Sequence, residues 1–327
     1  KQTGFTPNGL RHRLDPRRDT RRYHDAQSRR LELLPDRPNR RKELLSNVWR
    51  CTECGPGGDI LKHGKILVTG SSGLIGTAVC AALESRGHAV RRFDIADHQD
   101  GAGDILAPTD LNAAMKDCTG VIHLAAVSRV IWGERDPERC HKTNVVGTRN
   151  IIDRLRSGDQ RPWLIFGSSR EVYGQSRVLP VAENAPLQPM NHYARSKVEA
   201  ERAVKQAVNA GLRASVIRFS TVYGTIADHA DRVIPAFCRA AISGLPLRVE
   251  GDTNRLDITH VADVADCISK VVNHLSEGKS LEPMHLTTGL GTSLSDLARR
   301  VVHLARSESE IITMAPRDFD VAAFIGD

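Results

Sequence analysis

No stretch of this chain approaches the ~18 consecutive apolar residues that crossing a bilayer requires, so no membrane-spanning helix is expected. The leading residues are Arg-rich with no apolar block behind them, which does not fit a secretory signal peptide. Cysteines are few, seven in 327 residues, and they are scattered and odd in number. No disulfide framework is indicated, and a reducing, cytoplasmic setting is expected. Cys51-Thr-Glu-Cys54 has the spacing of half a zinc site, but a structural site needs four ligands and no second pair follows, so no metal is expected. The body of the chain also lacks net charge. Of 46 Lys and Arg, 16 fall in residues 1–65, as do 8 of 39 Asp and Glu, leaving 30 basic against 31 acidic residues elsewhere. A nucleic-acid partner is therefore not expected of the body, and only the basic leading segment leaves room for one.

What is present begins near residue 64. Residues 1–63, rich in Arg, Asp and Pro without sustained periodicity, read as a basic, flexible extension. From 65 onward strands and helices alternate. Strands are predicted at Ile66–Thr69, Ala89–Asp94, around Ile105, Val121–Ala125, Trp163–Gly167 and Ala214–Phe219. Helices are predicted after the first glycine-rich turn, after Pro108, over Pro137–Leu155 and over His192–Ala210. This alternation implies an α/β fold, a doubly wound parallel (Rossmann) sheet with helices on both faces. The pattern becomes mixed past 225. The expected division is a dinucleotide-binding domain at 64–225 and, mainly, a smaller C-terminal substrate-binding lobe at 226–327.

Thr69-Gly70-x-x-Gly73-x-x-Gly76 follows an apolar strand and opens a helix. Gly70 permits the tight turn, Gly73 lets backbone approach a pyrophosphate, and Gly76 allows close helix–strand packing. The helix N-terminus adds free N–H groups and partial positive charge. Asp94 closes the second strand 18 residues after Gly76, where an acid accepts hydrogen bonds from the adenosine ribose and repels a 2′-phosphate. NAD is therefore expected over NADP, with Arg91 and Arg92 nearby as the countervailing feature. Asp104-Ile105 is placed either to meet the adenine or to be a plain exposed acid beside an apolar residue.

Tyr193 and Lys197 stand one helical turn apart and share a face. Phenol is a poor base with an unperturbed pKa of about 10. An adjacent ammonium and a positive nicotinamide are expected to favour the phenolate. Ser169, at the end of a predicted strand, would hydrogen-bond the same substrate oxygen.

The ordered set Thr69-Gly-x-x-Gly-x-x-Gly76, His123-Leu-Ala-Ala126, Asn144-Val-Val-Gly-Thr148, Ser168-Ser-Arg-Glu-Val-Tyr-Gly174, Tyr193-x-x-x-Lys197 and Arg218-Phe-Ser-Thr-Val-Tyr-Gly224 resembles one family. It is the NAD-dependent epimerase/dehydratase family of extended short-chain dehydrogenase/reductases, which modify nucleotide sugars. The resemblance covers about residues 64–305. It implies transient oxidation at the sugar C4, with Tyr193 as the proton-transfer residue, Lys197 orienting the nicotinamide ribose and Ser169 assisting.

It further implies a cofactor site of Gly70, Gly73, Leu74, Ile75, Gly76, Asp94, Asp104, Ile105, Leu124, Ala125, Ala126, Asn144, Tyr193 and Lys197. Asn144 is equally readable as a brace for its helix. Ser128, Ser169, Thr221 and Arg255 are the implied substrate contacts. Thr221 stands where the family usually has Asn, and Arg255 is one position off the family's diphosphate Arg, which falls on Leu256. Dehydratases of the family carry Asp-Glu where this chain has Arg170-Glu171, which tilts the reading toward epimerisation. The alternatives are a dehydratase or decarboxylase using Glu171, and a non-catalytic dinucleotide-binding scaffold. The helices at about 137–155 and 192–210 carry apolar positions, and the resemblance implies that they pair across a two-fold axis as a four-helix bundle, so a homodimer is expected.

Overall fold

The structure is a computed structural model describing residues 64–97, 101–157, 161–225 and 228–327. Residues 1–63, including the Cys51–Cys54 pair, lie outside the described residues. Six strands form one sheet: β1 (Lys65–Thr69), β2 (Val90–Phe93), β3 (Cys118–His123), β4 (Trp163–Ser169), β5 (Ala214–Phe219) and β9 (Met284–Leu286). Their spatial order is β2-β1-β3-β4-β5-β9, and every pairing is parallel. The order reverses between β1 and β3, which opens a crevice at the C-terminal strand ends where ligands of such sheets bind.

Continuous apolar runs make these strands because both sheet faces are covered. Side chains alternate between the faces. On one face Leu67, Val121, Leu164, Phe166 and Val216 pack against α5 (Gly147–Arg156) and α6 (His192–Asn209) through Ile151, Leu155, Ala200 and Val204. On the other, Ile66, Val68, Ile122, Ile165 and Ile217 meet α1 (Leu74–Ser85) and α8 (Val261–Ser276) through Val79, Leu83, Val264, Ile268 and Val272. Each such Leu, Ile or Val contributes roughly 1.5–3 kcal/mol by leaving water.

Two sequence expectations change. Ile105 is not in a strand; the chain there makes a single bridge between Asp94 and Ala102, then turns into α2 (Pro108–Ala114). Ile105 is buried instead against Gly147, where a Cβ would lie 2.4 Å from the Ile105 side chain. The helix expected over 137–155 is α4 (Pro137–His141), a π-turn at Lys142–Val146 and then α5, preceded by a short α3 (Val130–Arg135). Asn144 is buried within this turn, and the Thr148 hydroxyl donates back to the Asn144 carbonyl at 2.6 Å.

Beyond β5 the chain builds short elements: β6 (Thr221–Tyr223), α7 (Val233–Ile242), β7 (Leu247–Glu250), β8 (Arg255–His260), β10 (Gly291–Ser293), α9 (Leu294–Ala305), β11 (Ile311–Met314) and β12 (Ala323–Phe324). Phe237, Leu247, Val249, Leu256, Leu297 and Ala298 form their separate core. Within this stretch α8 and β9 return to the main sheet, so residues 261–286 pack with the first layer.

The apolar positions of α5 and α6 are consumed inside the protomer, which corrects the reading behind the expected bundle. Their outward residues are charged: Arg149 pairs with Glu199 at 2.9 Å, and His141 lies 3.3 Å from the same carboxylate. Asp153, Arg156, Arg195, Arg202 and Lys205 are exposed beside them. Among the described residues, no helix is long and apolar enough to cross a membrane, and no cluster of three or more His, Cys, Asp or Glu could hold a metal ion.

Candidate active site

A cleft of about 890 Å3 runs along the C-terminal strand ends and under the C-terminal lobe. Of the residues singled out from sequence, Gly70, Gly73, Leu74, Ile75, Gly76, Leu124, Ala126, Ser128, Ser169, Glu171, Tyr193, Lys197 and Thr221 line it. Asp94, Asp104, Ile105, Ala125, Asn144 and Arg255 do not line it.

Sequence explains the first end of the cleft. Gly70 has φ +71, and a Cβ there would come 2.6 Å from the Ala125 backbone nitrogen. On Gly76 a Cβ would sit 2.1 Å from the Gly70 carbonyl oxygen. Only glycines let β1, the turn and α1 approach so closely. Gly73 caps α1 without a side-chain hydrogen bond, so the first-turn N–H groups remain for an anion. Asp94 holds this turn, its carboxylate accepting from the Ser72 N–H at 3.0 Å and the Ala96 N–H at 2.8 Å. Both neighbouring arginines are committed elsewhere. Arg91 donates to the carbonyls of Ala113, Ala114 and Lys116 at the C-terminal end of α2, and Arg92 pairs with Glu84 at 2.9 Å. The glycine cradle, the open helix end and the acid without a competing cation fit a dinucleotide that carries no 2′-phosphate.

Asn144 is the brace, not a wall of the cleft. Its side-chain carbonyl accepts from the Val127 N–H at 2.8 Å, while its NH2 donates to the Val127 carbonyl at 3.1 Å and the Ser196 hydroxyl at 2.9 Å. It thereby ties the loop after β3 to α6 one residue before Lys197. His123 does similar work between Thr69 and Thr148, at 2.7 and 3.0 Å. Burial pushes this imidazole down to about 3, so it stays neutral. Asp104 accepts from the Leu106 N–H at 2.9 Å in a local turn.

At the other end Ser169, Tyr193, Lys197 and Glu171 converge, each less than a tenth exposed. Burial pushes the Tyr193 phenol up to about 12; a hydrogen bond with Ser169 opposes this and the charge of Glu171 adds to it. Among the protein's own groups desolvation is the largest influence, and it favours the neutral phenol. Lys197 donates to the Gly167 carbonyl at 2.8 Å and lies 5.0 Å from the centre of the Phe166 ring. Burial lowers its ammonium to about 8, partly countered by the negative charge of Glu201. Near pH 7 it keeps its proton.

Glu171 is tied on both oxygens. Arg170 Nη2 lies 2.9 Å from Oε1, and the Asn191 NH2 donates to Oε2 at 3.2 Å. Arg255 is exposed on β8, its alternate neighbour Leu256 being the one that lines the cleft. Five arginines that line it went unread in the sequence: Arg129, Arg135, Arg232, Arg248 and Arg317. Period-2 alternation in Leu247-Arg-Val-Glu250 was the available signal for Arg248, since Leu247 and Val249 are buried. Arg129 bridges to Asp231, and Arg317 pairs with Asp320 at 2.8 Å, so these two close onto acids of the lobe.

A parallel sheet with a glycine cradle at its switch point and a Ser–Tyr–Lys set at the opposite cleft wall defines an NAD-dependent short-chain dehydrogenase/reductase of the extended type. The sequence matches the NAD dependent epimerase/dehydratase family over residues 66–286, and the chain belongs to that family. It is 26% identical to a UDP-glucose 4-epimerase of Rhizobium meliloti, covering 82% of this chain and 90% of the relative. A solved UDP-glucose 4-epimerase of Brucella ovis in complex with NAD superposes with a TM-score of 0.72 at 29% identity, over 80% of this chain and 89% of that one. An NAD-dependent NDP-hexosamine 5,6-dehydratase, TunA, superposes equally well, with a TM-score of 0.72 at 26% identity over 81% and 88% of the two chains. NAD is the family's cofactor.

Proposed function

We propose that the chain is a nucleotide-sugar 4-epimerase. The observation that carries this reading over elimination is the state of Glu171: both carboxylate oxygens are engaged by Arg170 and Asn191, while Ser169, Tyr193 and Lys197 line the cleft beside it. An acid or base for elimination must exchange a proton with the substrate, and a carboxylate held between two donors is poorly placed to do so.

In this reading Tyr193 takes the proton of the sugar 4-hydroxyl, and Ser169 fixes that oxygen. NAD would be held along Gly70–Gly76 and at Asp94, and would supply the reversible hydride acceptor for C4. Lys197, charged near pH 7, favours the phenolate and orients the nicotinamide ribose. Burial of Tyr193 favours the neutral phenol, and the positive charge of the bound cofactor favours the phenolate that acts as the base. Arg248, Thr221 and Ser128, which line the cleft, are assigned to the diphosphate and sugar of the substrate. Arg317 is instead paired with Glu250 and Asp320, and Arg255 lies outside the cleft lining.

Glu171→Gln should lower turnover only mildly and leave the product isomeric with the substrate. A loss as large as that from removing the Tyr193 hydroxyl, with product lighter by water or carbon dioxide, would replace epimerisation by elimination or decarboxylation. For the cofactor, NAD should bind more tightly than NADP, and Asp94→Ala should narrow the gap. Each lost charge-assisted hydrogen bond is worth about 1.5–3 kcal/mol. Calorimetry finding equal affinities in the unmutated protein would contradict the role of Asp94.

A homodimer through α5 and α6 is proposed with ion pairs in place of apolar contacts. Its dissociation constant should rise with salt, as pairs across an exposed charged face are screened over about 8–10 Å. Sedimentation showing a monomer at micromolar concentration in low salt would refute it.

A further inference from the structure

The Arg170 guanidinium is nearly buried, with 12% of its side chain exposed, and it lines the cleft immediately after Ser169. One arm, Nη2, is spent on Glu171 at 2.9 Å. The other, Nη1, is buried with no hydrogen-bond partner. The guanidinium carbon lies over the Phe324 ring, 5.8 Å from its centre. A buried charged donor left without an acceptor is costly, and native structures rarely keep one without reason. The neighbouring polar groups are already used: Glu171 takes Arg170 and Asn191, and Ser169 accepts from the Glu171 N–H at 3.2 Å. The missing acceptor must therefore come from outside the chain, through the cleft.

Which acceptor is set by position. With Ser169 and Tyr193 on the 4-hydroxyl, the next residue reaches a substituent on a ring carbon adjacent to C4, either the C3 hydroxyl or the C6 group on C5. A guanidinium matches a carboxylate best, through paired charge-assisted bonds. On a hexose ring the carbon that carries a carboxylate is C6. We infer that Arg170 reads a C6 carboxylate and that the preferred substrates are nucleotide-linked uronic acids. This rests on the C4-oxidation reading and names the substrate class for it.

The same contact has a chemical consequence. Once C4 is a ketone, a C6 carboxylate belongs to a β-keto acid. Loss of carbon dioxide breaks the C5–C6 bond, sends its electron pair toward the C4 carbonyl, and leaves C5 to take a proton from water. A guanidinium that stabilises the negative charge on the carboxylate opposes that flow. The enzyme should return an isomer.

The test is a paired kinetic comparison of UDP-glucuronate and UDP-glucose with the full chain and NAD, products being resolved by mass spectrometry and NMR. The expected kcat/KM is about 10- to 100-fold higher for the uronate. In Arg170→Met the uronate-to-hexose ratio should fall by about the same factor, with some product lighter by carbon dioxide. Arg170→Lys keeps a charge beside Glu171 but loses the planar fork, so it guards against misfolding and should lower the ratio in the same direction. Equal or better turnover of the neutral hexose by the unmutated enzyme, or equal losses on both sugars in Arg170→Lys, would overturn the inference while leaving C4 oxidation standing. No epimer and no NAD reduction with either sugar would overturn the C4 reading itself.

Discussion

Tyr193→Phe should reduce turnover by about 10²–10⁴-fold, the range for a positioned general acid–base, while leaving fold and NAD affinity intact. The change removes one oxygen and keeps a ring that is 93% buried in its present packing, against Val127 and Cys140. The hydroxyl's partner is Ser169, which retains its bond to the Glu171 N–H. Ser169→Ala should cost less, because Ser169 orients the substrate oxygen and does not carry its proton away. Lys197→Met should match the Tyr193 loss and also weaken NAD. Thermal unfolding and calorimetry of the cofactor complex distinguish a chemical loss from a structural one. Full turnover by Tyr193→Phe would leave only a dinucleotide-binding fold.

The largest expected stability effect lies just behind the site. Arg218 on β5 donates Nε and Nη2 to the two oxygens of Glu201, at 3.0 and 2.7 Å, and Nη1 to the Tyr173 hydroxyl at 2.7 Å and the Glu183 carbonyl at 2.8 Å. Glu201 also accepts from the Ser168 hydroxyl at 2.5 Å. Burial opposes the guanidinium's charge, but Glu201 overrides it and the proton is held more tightly than in water. Removing one partner of such a pair strands the other's charge, which costs about 3–5 kcal/mol. Arg218→Met should therefore lower the urea midpoint with little change in slope. Adding Glu201→Met should recover a large part of the loss, since the pair couples by proximity. A shift below about 1 kcal/mol for Arg218→Met would mean the pair is solvated in the native protein.

The sheet and one wall of the site were legible in the sequence for a physical reason. Strands buried on both faces, such as Ala214–Phe219, leave continuous apolar runs, and the glycine turn and Tyr193–Lys197 helix face are local patterns. Ile105 misled because one apolar residue docking on a glycine looks like a strand core when its partner, Gly147, is 42 positions away. Asn144 gave no sign of facing Val127 and Ser196 because those partners lie 17 and 52 positions away. In the lobe, strands of two to six residues pair both parallel and antiparallel, and no single period survives. The one-residue offset of Arg255 from Leu256 could be noticed, and alternation marks Arg248 as facing away from the lobe core, yet only the fold brings Arg248 and Arg317 to the cleft. The orphan donor on Arg170 is likewise a property of packing.

Reversible hydride removal at C4 is tested most directly by one measurement. The enzyme is incubated with a nucleotide hexose or hexuronate deuterated at C4, and the product is examined by NMR and mass spectrometry. An isomer that keeps its deuterium at C4 in the inverted configuration is the expected result. A product lighter by water or carbon dioxide, or an epimer whose C4 deuterium has exchanged with solvent, would contradict the account.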